Sequence, residues 1–457
     1  MNRTSAPGPW SRALGLFIAL CLTAAVSQVR AQGAFYREAR KDDRIYVFNL
    51  MKVWEEWQAT GEIAKSITRI GAGPSGETIV FDSEEAIHLY NFKHDLPGEV
   101  ITKVEEKQSI TNVSWKDGKT TIEGDKAALI ISNRVQVRFT NDQPSDPADP
   151  NSTGSKGSFR IRRAKTKFEG WIYNKFLTYD VQLNWADTAS SLEDAAINYD
   201  VTKGLKALQI KGGQFKVPFG RQELTSSGSQ QFVDRSIISE QFEKGRDIGV
   251  QIWGQTPGGA IEWRTGIFNG AGRNKTTNDN DRYQFDTRVT WNIMGDVKYS
   301  ESDFESTDKP LLAVAVQYEA NNQQGATTGD DIDRDVFGGD VVLKFRGLSV
   351  FAEYFRRVSE PEMAVDFDSD GYNVQVGYFL YRRYLEIALR WAALDPSDQT
   401  LASGVPLAND HVHERGITVN WFMNKHPLKL QADWRQIENE AVDMTTDEAR
   451  LQMQFIF

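Results

Sequence analysis

Residues 211–249 read KGGQFKVPFGRQELTSSGSQQFVDRSIISEQFEKGRDIG, the longest interruption between two segments that otherwise alternate apolar and polar side chains. The corner Pro218-Phe219-Gly220 stops the preceding strand, because proline cannot donate to a sheet ladder. Beyond that corner the chain is too apolar for a solvated linker: Leu224, Phe232, Ile237, Ile238 and Phe242 all need cover. A loop this long in a compact domain is functional or disordered, and its hydrophobes argue against disorder. The stretch is expected to fold inward, pack on the inner wall of a large β-barrel and narrow its bore.

On both sides of the interruption the chain keeps a period of two. Leu129, Ile131, Val135, Val137 and Phe139 share one face, and Arg134, Gln136 and Arg138 share the other. Leu177, Tyr179, Val181, Leu183 and Trp185 alternate with Thr178, Asp180, Gln182 and Asn184. The pattern locates sixteen strands, near 128–140, 158–171, 175–187, 193–202, 205–217, 246–255, 260–269 and 282–294, then 311–320, 335–346, 348–358, 370–381, 383–394, 412–423, 427–438 and 448–457. An even number suits a bacterial single-chain barrel.

The connections alternate in length. Ile172–Asn174, Thr256–Gly259, Gly347, Arg382 and Asn424–His426 are short. Long polar connections intervene at 141–157, 270–281, 321–334, 359–369, 395–411 and 439–447. Short turns at one end and long loops at the other are the outer-membrane layout. Two connections depart from it: Gly295–Pro310 is long where a short turn is due, and Asp187 to Glu193 is short where a long loop is due. Trp171, Trp185, Trp263, Trp291, Trp391, Trp421 and Trp434 fall mostly near strand ends, as interfacial girdles require.

Before the barrel, residues 1–31 read as a signal peptide: basic Arg3 and Arg12, an apolar Ala13–Val26 core and Val29-Arg30-Ala31 at the cleavage site. Cys21 lies within it, so the mature chain offers no disulfide, thiolate metal site or cysteine nucleophile. That segment holds three arginines and no acid, so its removal takes the formal charge from −10 to −13, a poor balance for general nucleic-acid binding. Residues 33–112 read as a small α+β module and linker, assigned to the periplasm. It has a strand at Ile45–Phe48, a helix at Met51–Gln58, a hairpin around Gly73–Gly76 and a helix capped by Ser83. Residues 113–457 are the barrel. The fold class is thus all-β: a 16-stranded antiparallel transmembrane barrel with a small N-terminal α+β periplasmic module.

The inward faces carry the chemistry. Arg134 and Arg138 on the first strand and Arg163, Lys165 and Lys167 on the second fall on the polar side, and Lys211 and Lys216 stand before the long loop. Arg221, Arg235 and Arg246 lie in the loop or just after it. Basic groups along a low-dielectric bore make a local field opposite to the net charge and concentrate anions. Asp180, Glu262, Asp286, Asp340 and Glu386 also reach the lumen, so the alternative is a polar interior with its charges balanced. His411, His413 and Glu414, beside Asp410, form an HVHE cluster read as an outer loop rather than a metal site. No nucleophile elbow, zinc-protease, haem-attachment or phosphate-loop motif is present, so neither catalysis nor a cofactor is expected.

Several segments together carry a family resemblance. They are Trp115-Lys-Asp-Gly through Asn133-Arg-Val-Gln, Phe159-Arg-Ile-Arg-Arg-Ala-Lys with Gly170, Gly213-Gln-Phe-Lys-Val-Pro-Phe-Gly-Arg-Gln-Glu, Phe232-Val-Asp-Arg-Ser and Gly245-Arg-Asp-Ile-Gly-Val-Gln. They resemble the phosphate-selective porin O and P family over residues 113–457, most specifically over 158–250. The resemblance implies a trimer, a third loop inside the barrel and a basic lumen passing phosphate-like anions, with Arg163, Lys165, Lys216, Arg221, Arg235 and Arg246 along it. Glu223, Asp234, Glu240 and Glu243 make this constriction less basic than the family's most selective members. The closing strand, ending Phe455-Ile-Phe457, resembles the signal read by the barrel-assembly machinery. The expected partners are outer-membrane lipid and small anionic solutes. The alternative function is an outer-membrane anchor whose N-terminal module docks a periplasmic partner.

Overall fold

A computed structural model describes residues 35–96, 111–145, 155–187, 191–306, 308–324, 331–381, 383–397 and 411–457. The expected signal peptide with Cys21, the linker at 97–110, and parts of three long loops and the short turn at Arg382 lie outside the described residues. The chain divides into two compact units, Met1–Ser109 and Ile110–Phe457.

In the first unit, β1 (Arg37–Lys41) and β2 (Arg44–Phe48) form an antiparallel hairpin. After α1 (Met51–Thr60) and β3 (Ile67–Arg69), β4 (Thr78–Phe81) pairs parallel with β2 and antiparallel with β3. α2 (Glu84–Lys93) begins where the Ser83 hydroxyl accepts a hydrogen bond from the Ala86 N–H at 3.0 Å, with Glu84 and Glu85 in the positive first turn. Its Ala86 and Tyr90 pack on Ile45, Val47, Ile79 and Phe81.

The second unit starts with a hairpin absent from the expected strands, β5 (Asn112–Lys116) and β6 (Lys119–Glu123), turning at Asp117-Gly118. Eight strands come next: β7 (Ala127–Ser145), β8 (Lys156–Ile172), β9 (Asn174–Asn184), β10 (Leu192–Asp200), β11 (Gln209–Lys216), β12 (Arg246–Gln255), β13 (Ile261–Phe268) and β14 (Gln284–Met294). Eight more complete the sheet: β15 (Leu311–Gln324), β16 (Asp331–Phe345), β17 (Leu348–Pro361), β18 (Phe367–Tyr381), β19 (Leu385–Asp395), β20 (Val412–Asn424), β21 (Leu428–Asn439) and β22 (Met444–Ile456). Each pairs antiparallel with the next, and β22 returns to β7 with Gln454 opposite Gln136, closing a sixteen-stranded barrel. Asn133 and Phe457 exchange both backbone hydrogen bonds, at 2.7 and 3.0 Å. β6 takes the first part of β7, Ala128 to Ser132, and β22 takes the part from Arg134 onward. All sixteen expected strands are present. The long-loop ends of β15 and β16 run further than expected, because Asn321–Gln324 pair with Asp331–Arg334 despite their polarity.

The wall is apolar outside and polar inside. Along β18, Tyr378 and Leu380 are 50% and 54% exposed on the outer face, while Asn373 and Gln375 are 0% and 1% exposed on the inner one. A water-soluble domain buries the opposite set. Trp185, Trp291, Trp391, Trp421 and Trp434 are exposed as well. This is the arrangement that hydrocarbon demands of a spanning sheet, with every ladder closed and one apolar face.

Val376→Lys, at the middle of β18's outer face, is expected to destabilise the barrel by about 2–4 kcal/mol when refolding into lipid vesicles is titrated with denaturant. Unaltered stability would mean that this face does not meet lipid.

Candidate functional site

The loop between β11 and β12, residues 217–245, lies inside the barrel. Its entry corner needs Gly220, whose φ is +69° and whose absent Cβ leaves room for the Glu243 carboxylate. Phe219 then meets Phe355 of β17 in a tilted pair at 5.4 Å, and Phe242 stacks on the same ring at 5.5 Å. Two short helices, α3 (Arg221–Leu224) and α4 (Ile237–Phe242), carry the loop across, and Ile238 is sealed against Val336, Ala392 and Leu394. Apolar cover for Phe232, Ile238 and Phe242 is therefore supplied by the opposite wall, as their composition requires.

Polar anchors fix the rest of the loop to β7 and β18–β22. The Arg138 guanidinium grips the Asp234 carboxylate with two hydrogen bonds, at 2.6 and 3.1 Å. Arg162, Arg163 and Arg450 approach the same carboxylate at 3.4, 3.5 and 3.6 Å. Burial would raise the acid's pKa, but these guanidiniums, led by the Arg138 hydrogen bonds, hold Asp234 well below the usual carboxylate range. Lys429 donates to the Gln230 carbonyl at 2.9 Å, and Asp433 accepts from the Val233 N–H at 3.0 Å. Glu414 accepts from the Ile237 N–H at 2.8 Å while pairing with Arg390 at 3.0 Å. Glu414 is thus an inward residue of β20, which corrects the expectation that the HVHE cluster is an outer loop. A strand period starts at Val412, so its His413 points away from Glu414, toward Glu440 at 3.0 Å.

Against β7–β13 the loop leaves a cavity of about 920 Å³. It extends from Lys119, Glu169 and Trp253, toward the short-turn end, to Asp187 and Arg273 at the long-loop end. Of the ten basic residues singled out from sequence, Arg134, Arg163, Lys165, Lys167, Lys211, Lys216, Arg235 and Arg246 line it. Arg138 does not, being spent on Asp234; nor does Arg221, which donates to the Val297 and Lys298 carbonyls at 3.0 and 3.1 Å. The cavity also takes Lys119, Arg162, Lys244, Arg264 and Arg273. Arg264 was legible, since it shares the inward face of Glu262. Arg162 was not, because a register shift opposite Gln136 and Val137 turns it inward beside Arg163.

Among the described residues thirteen Lys and Arg side chains therefore face seven Asp and Glu side chains, a surplus of six positive charges. Most of the acids are paired. Arg246 grips Asp194 at 2.9 and 3.1 Å, Lys165 meets Glu193 at 2.5 Å, and Arg235 meets Glu223 at 2.9 Å. Burial, reinforced by the Glu223 carboxylate, pushes Glu243 up to about 8, so near neutrality it adds little negative charge. Among the described residues Arg134 has only hydroxyl partners, Ser226 and Ser227, each at 3.0 Å.

The family model described as phosphate-selective porin O and P matches residues 134–457. An uncharacterized protein of Aquifex aeolicus (strain VF5) is 24% identical over 409 residues, covering 78% of this chain and 94% of its own. Among solved structures, the outer membrane channel DcaP of Acinetobacter baumannii covers 73% of this chain and 98% of its own at 13% identity, with a TM-score of 0.53. An anion-selective porin from Comamonas acidovorans covers 73% and 100% at 11% identity, with a TM-score of 0.50. At such identities the structures share the fold, which does not by itself carry function.

Asp234→Ala would leave four guanidiniums facing one another without their carboxylate. The expected result is a cost of about 3–5 kcal/mol and faster hydrogen exchange across residues 226–240. Wild-type protection of that stretch would show that the loop is held by its apolar contacts alone.

Proposed function

This chain belongs to the phosphate-selective porin O and P family and forms an outer-membrane channel; we propose that the channel passes small anions such as phosphate by diffusion through a bore narrowed by the inward third loop. The observation that carries this reading is the surplus of six positive charges on a cavity reaching from one end of the β7–β13 wall toward the other. In a confined space of low dielectric such a surplus raises the local anion concentration and repels cations. The ten residues Arg134, Arg138, Arg163, Lys165, Lys167, Lys211, Lys216, Arg221, Arg235 and Arg246 take two parts in it. Eight face the solute, while Arg138 and Arg221 hold the loop in place.

The same reading has residues 1–31 removed as a signal peptide, the module and linker of 33–112 in the periplasm and the barrel of 113–457 as a homotrimer. Its final strand, ending at Phe457, is taken to guide assembly.

Single-channel reversal potentials in asymmetric KCl test the selectivity. Anion preference is expected, and Arg134→Gln with Arg163→Gln should lower the chloride-to-potassium permeability ratio severalfold. These two leave no carboxylate orphaned, since Asp234 keeps Arg138. A cation-selective wild type would reject the anion path and keep the barrel.

A further inference from the structure

The long connection at the short-turn end, Gly295 to Pro310, is a second inward segment. Ser302 and Asp303 are 2% and 1% exposed. Its foot is apolar: Val297 packs with Ala313, Val342 and Phe351, and Phe304 meets Phe379 and Phe422 at 5.2 and 4.7 Å. The wall holds it through Lys344, which donates to the Ser300 carbonyl at 2.5 Å, and through the Gly347 N–H on Asp303 at 2.7 Å.

Its tip meets the third loop. The Glu301 carboxylate accepts from the Gln231 N–H at 2.7 Å, the Gln222 amide at 3.2 Å and the Gln375 amide at 3.0 Å. The Glu301 N–H donates to the Ser229 carbonyl at 3.1 Å. From the loop's side, Arg221 lies over the Tyr299 ring at 4.6 Å while capping the Val297 and Lys298 carbonyls. Glu386 of β19 ties both segments to the wall, accepting from Gln231 at 2.7 Å and Ser302 at 2.9 Å.

Resting on the channel reading, we propose that residues 295–306 and the third loop form one partition, joined at Glu301, that closes the β15–β21 side of the barrel and sets both the size and the ion preference of the pore. The third loop enters from the long-loop end and reaches down to Ser349 and Lys429 near the short turns, where the 295–306 segment rises to meet it. The wall they seal carries Lys344, Arg390, Lys429 and Arg435 as well as Asp340, Glu353, Glu386, Glu414 and Asp433. A route opened there would lack the positive surplus of the β7–β13 side, and the current added through it would be less anion-selective.

The test compares wild type with Glu301→Ala and with a variant whose residues 298–307 are replaced by a tight Asn-Gly turn. Both are reconstituted in planar bilayers after heat-modifiability confirms a closed barrel. Eight of sixteen strands border the native cavity, so opening the remainder should raise conductance about twofold in the turn variant, with a larger polyethylene glycol exclusion size. Glu301→Ala should move the same way to a smaller extent, and both should lose part of the anion preference. Unchanged conductance and exclusion size in Glu301→Ala would overturn the partition, even if the turn variant failed to assemble. A wild-type barrel that does not conduct would instead reject the channel reading on which it rests.

Discussion

In hydrocarbon no water is present to satisfy a backbone N–H or C=O, so a spanning sheet must close on itself. The ladder between β22 and β7 meets that demand, and the circumference it fixes governs everything inside. A sixteen-stranded ring is too wide for its own side chains to fill, unlike an eight-stranded one. The interior must be either an aqueous channel or an enclosure occupied by chain folded inward. This protein divides its lumen between the two, with segments 217–245 and 295–306 on one side and the basic cavity on the other.

Once chain is folded inside, its backbone must find partners away from bulk water. Short helices provide some of them, but the third loop has no helix between Ser226 and Ser236. There the wall's side chains substitute. Lys429, Gln431 and Gln454 donate to loop carbonyls, and Asp433 and Glu414 accept loop N–H groups. The loop thus bonds to the barrel as well as to itself. Its conformation is a property of the wall's polar stripe as much as of its own sequence. Asp234, with four guanidiniums around it, is the most heavily contacted of these polar anchors.

The wall and the third loop were legible because both rest on rules visible in one dimension. Leu385 through Trp391 alternates with Glu386 and Arg390, and a bilayer preserves that alternation over the whole strand. The third loop betrayed itself by Phe232, Ile238 and Phe242, hydrophobes with no place in water. The segment 295–306 gave a fainter sign, since only Val297, Tyr299 and Phe304 interrupt its polar run. Asp296, Lys298, Ser300, Glu301, Ser302 and Asp303 read as a solvated connection, because the compartment that receives them is itself polar. Binary patterning separates lipid from not-lipid; it has no symbol for the inside of a wet barrel. Arg162 escaped for a different reason, since one register shift reverses the facing of its neighbours.

The chain's acidity, formally −10, suggests the wrong partner until it is divided by location. Asp340 is held by Arg288 at 2.6 Å, Glu414 by Arg390 at 3.0 Å and Asp433 by Arg450 at 2.7 Å, all within the wall the inward segments cover. Glu386 has no ion partner at that range among the described residues and is instead ringed by the donors of Gln231, Ser302 and Asn420. Such acids are neutralised or enclosed before any solute meets them, and their field is largely cancelled by the nearest cation. On the β7–β13 wall the ratio is inverted, and Arg134 has hydroxyls rather than a carboxylate as partners. A passing ion experiences the local surplus within a Debye length, not the sum over the molecule. The inward segments therefore act electrostatically as well as sterically: by covering the wall whose charges are paired they decide which part of the charge distribution the bore presents.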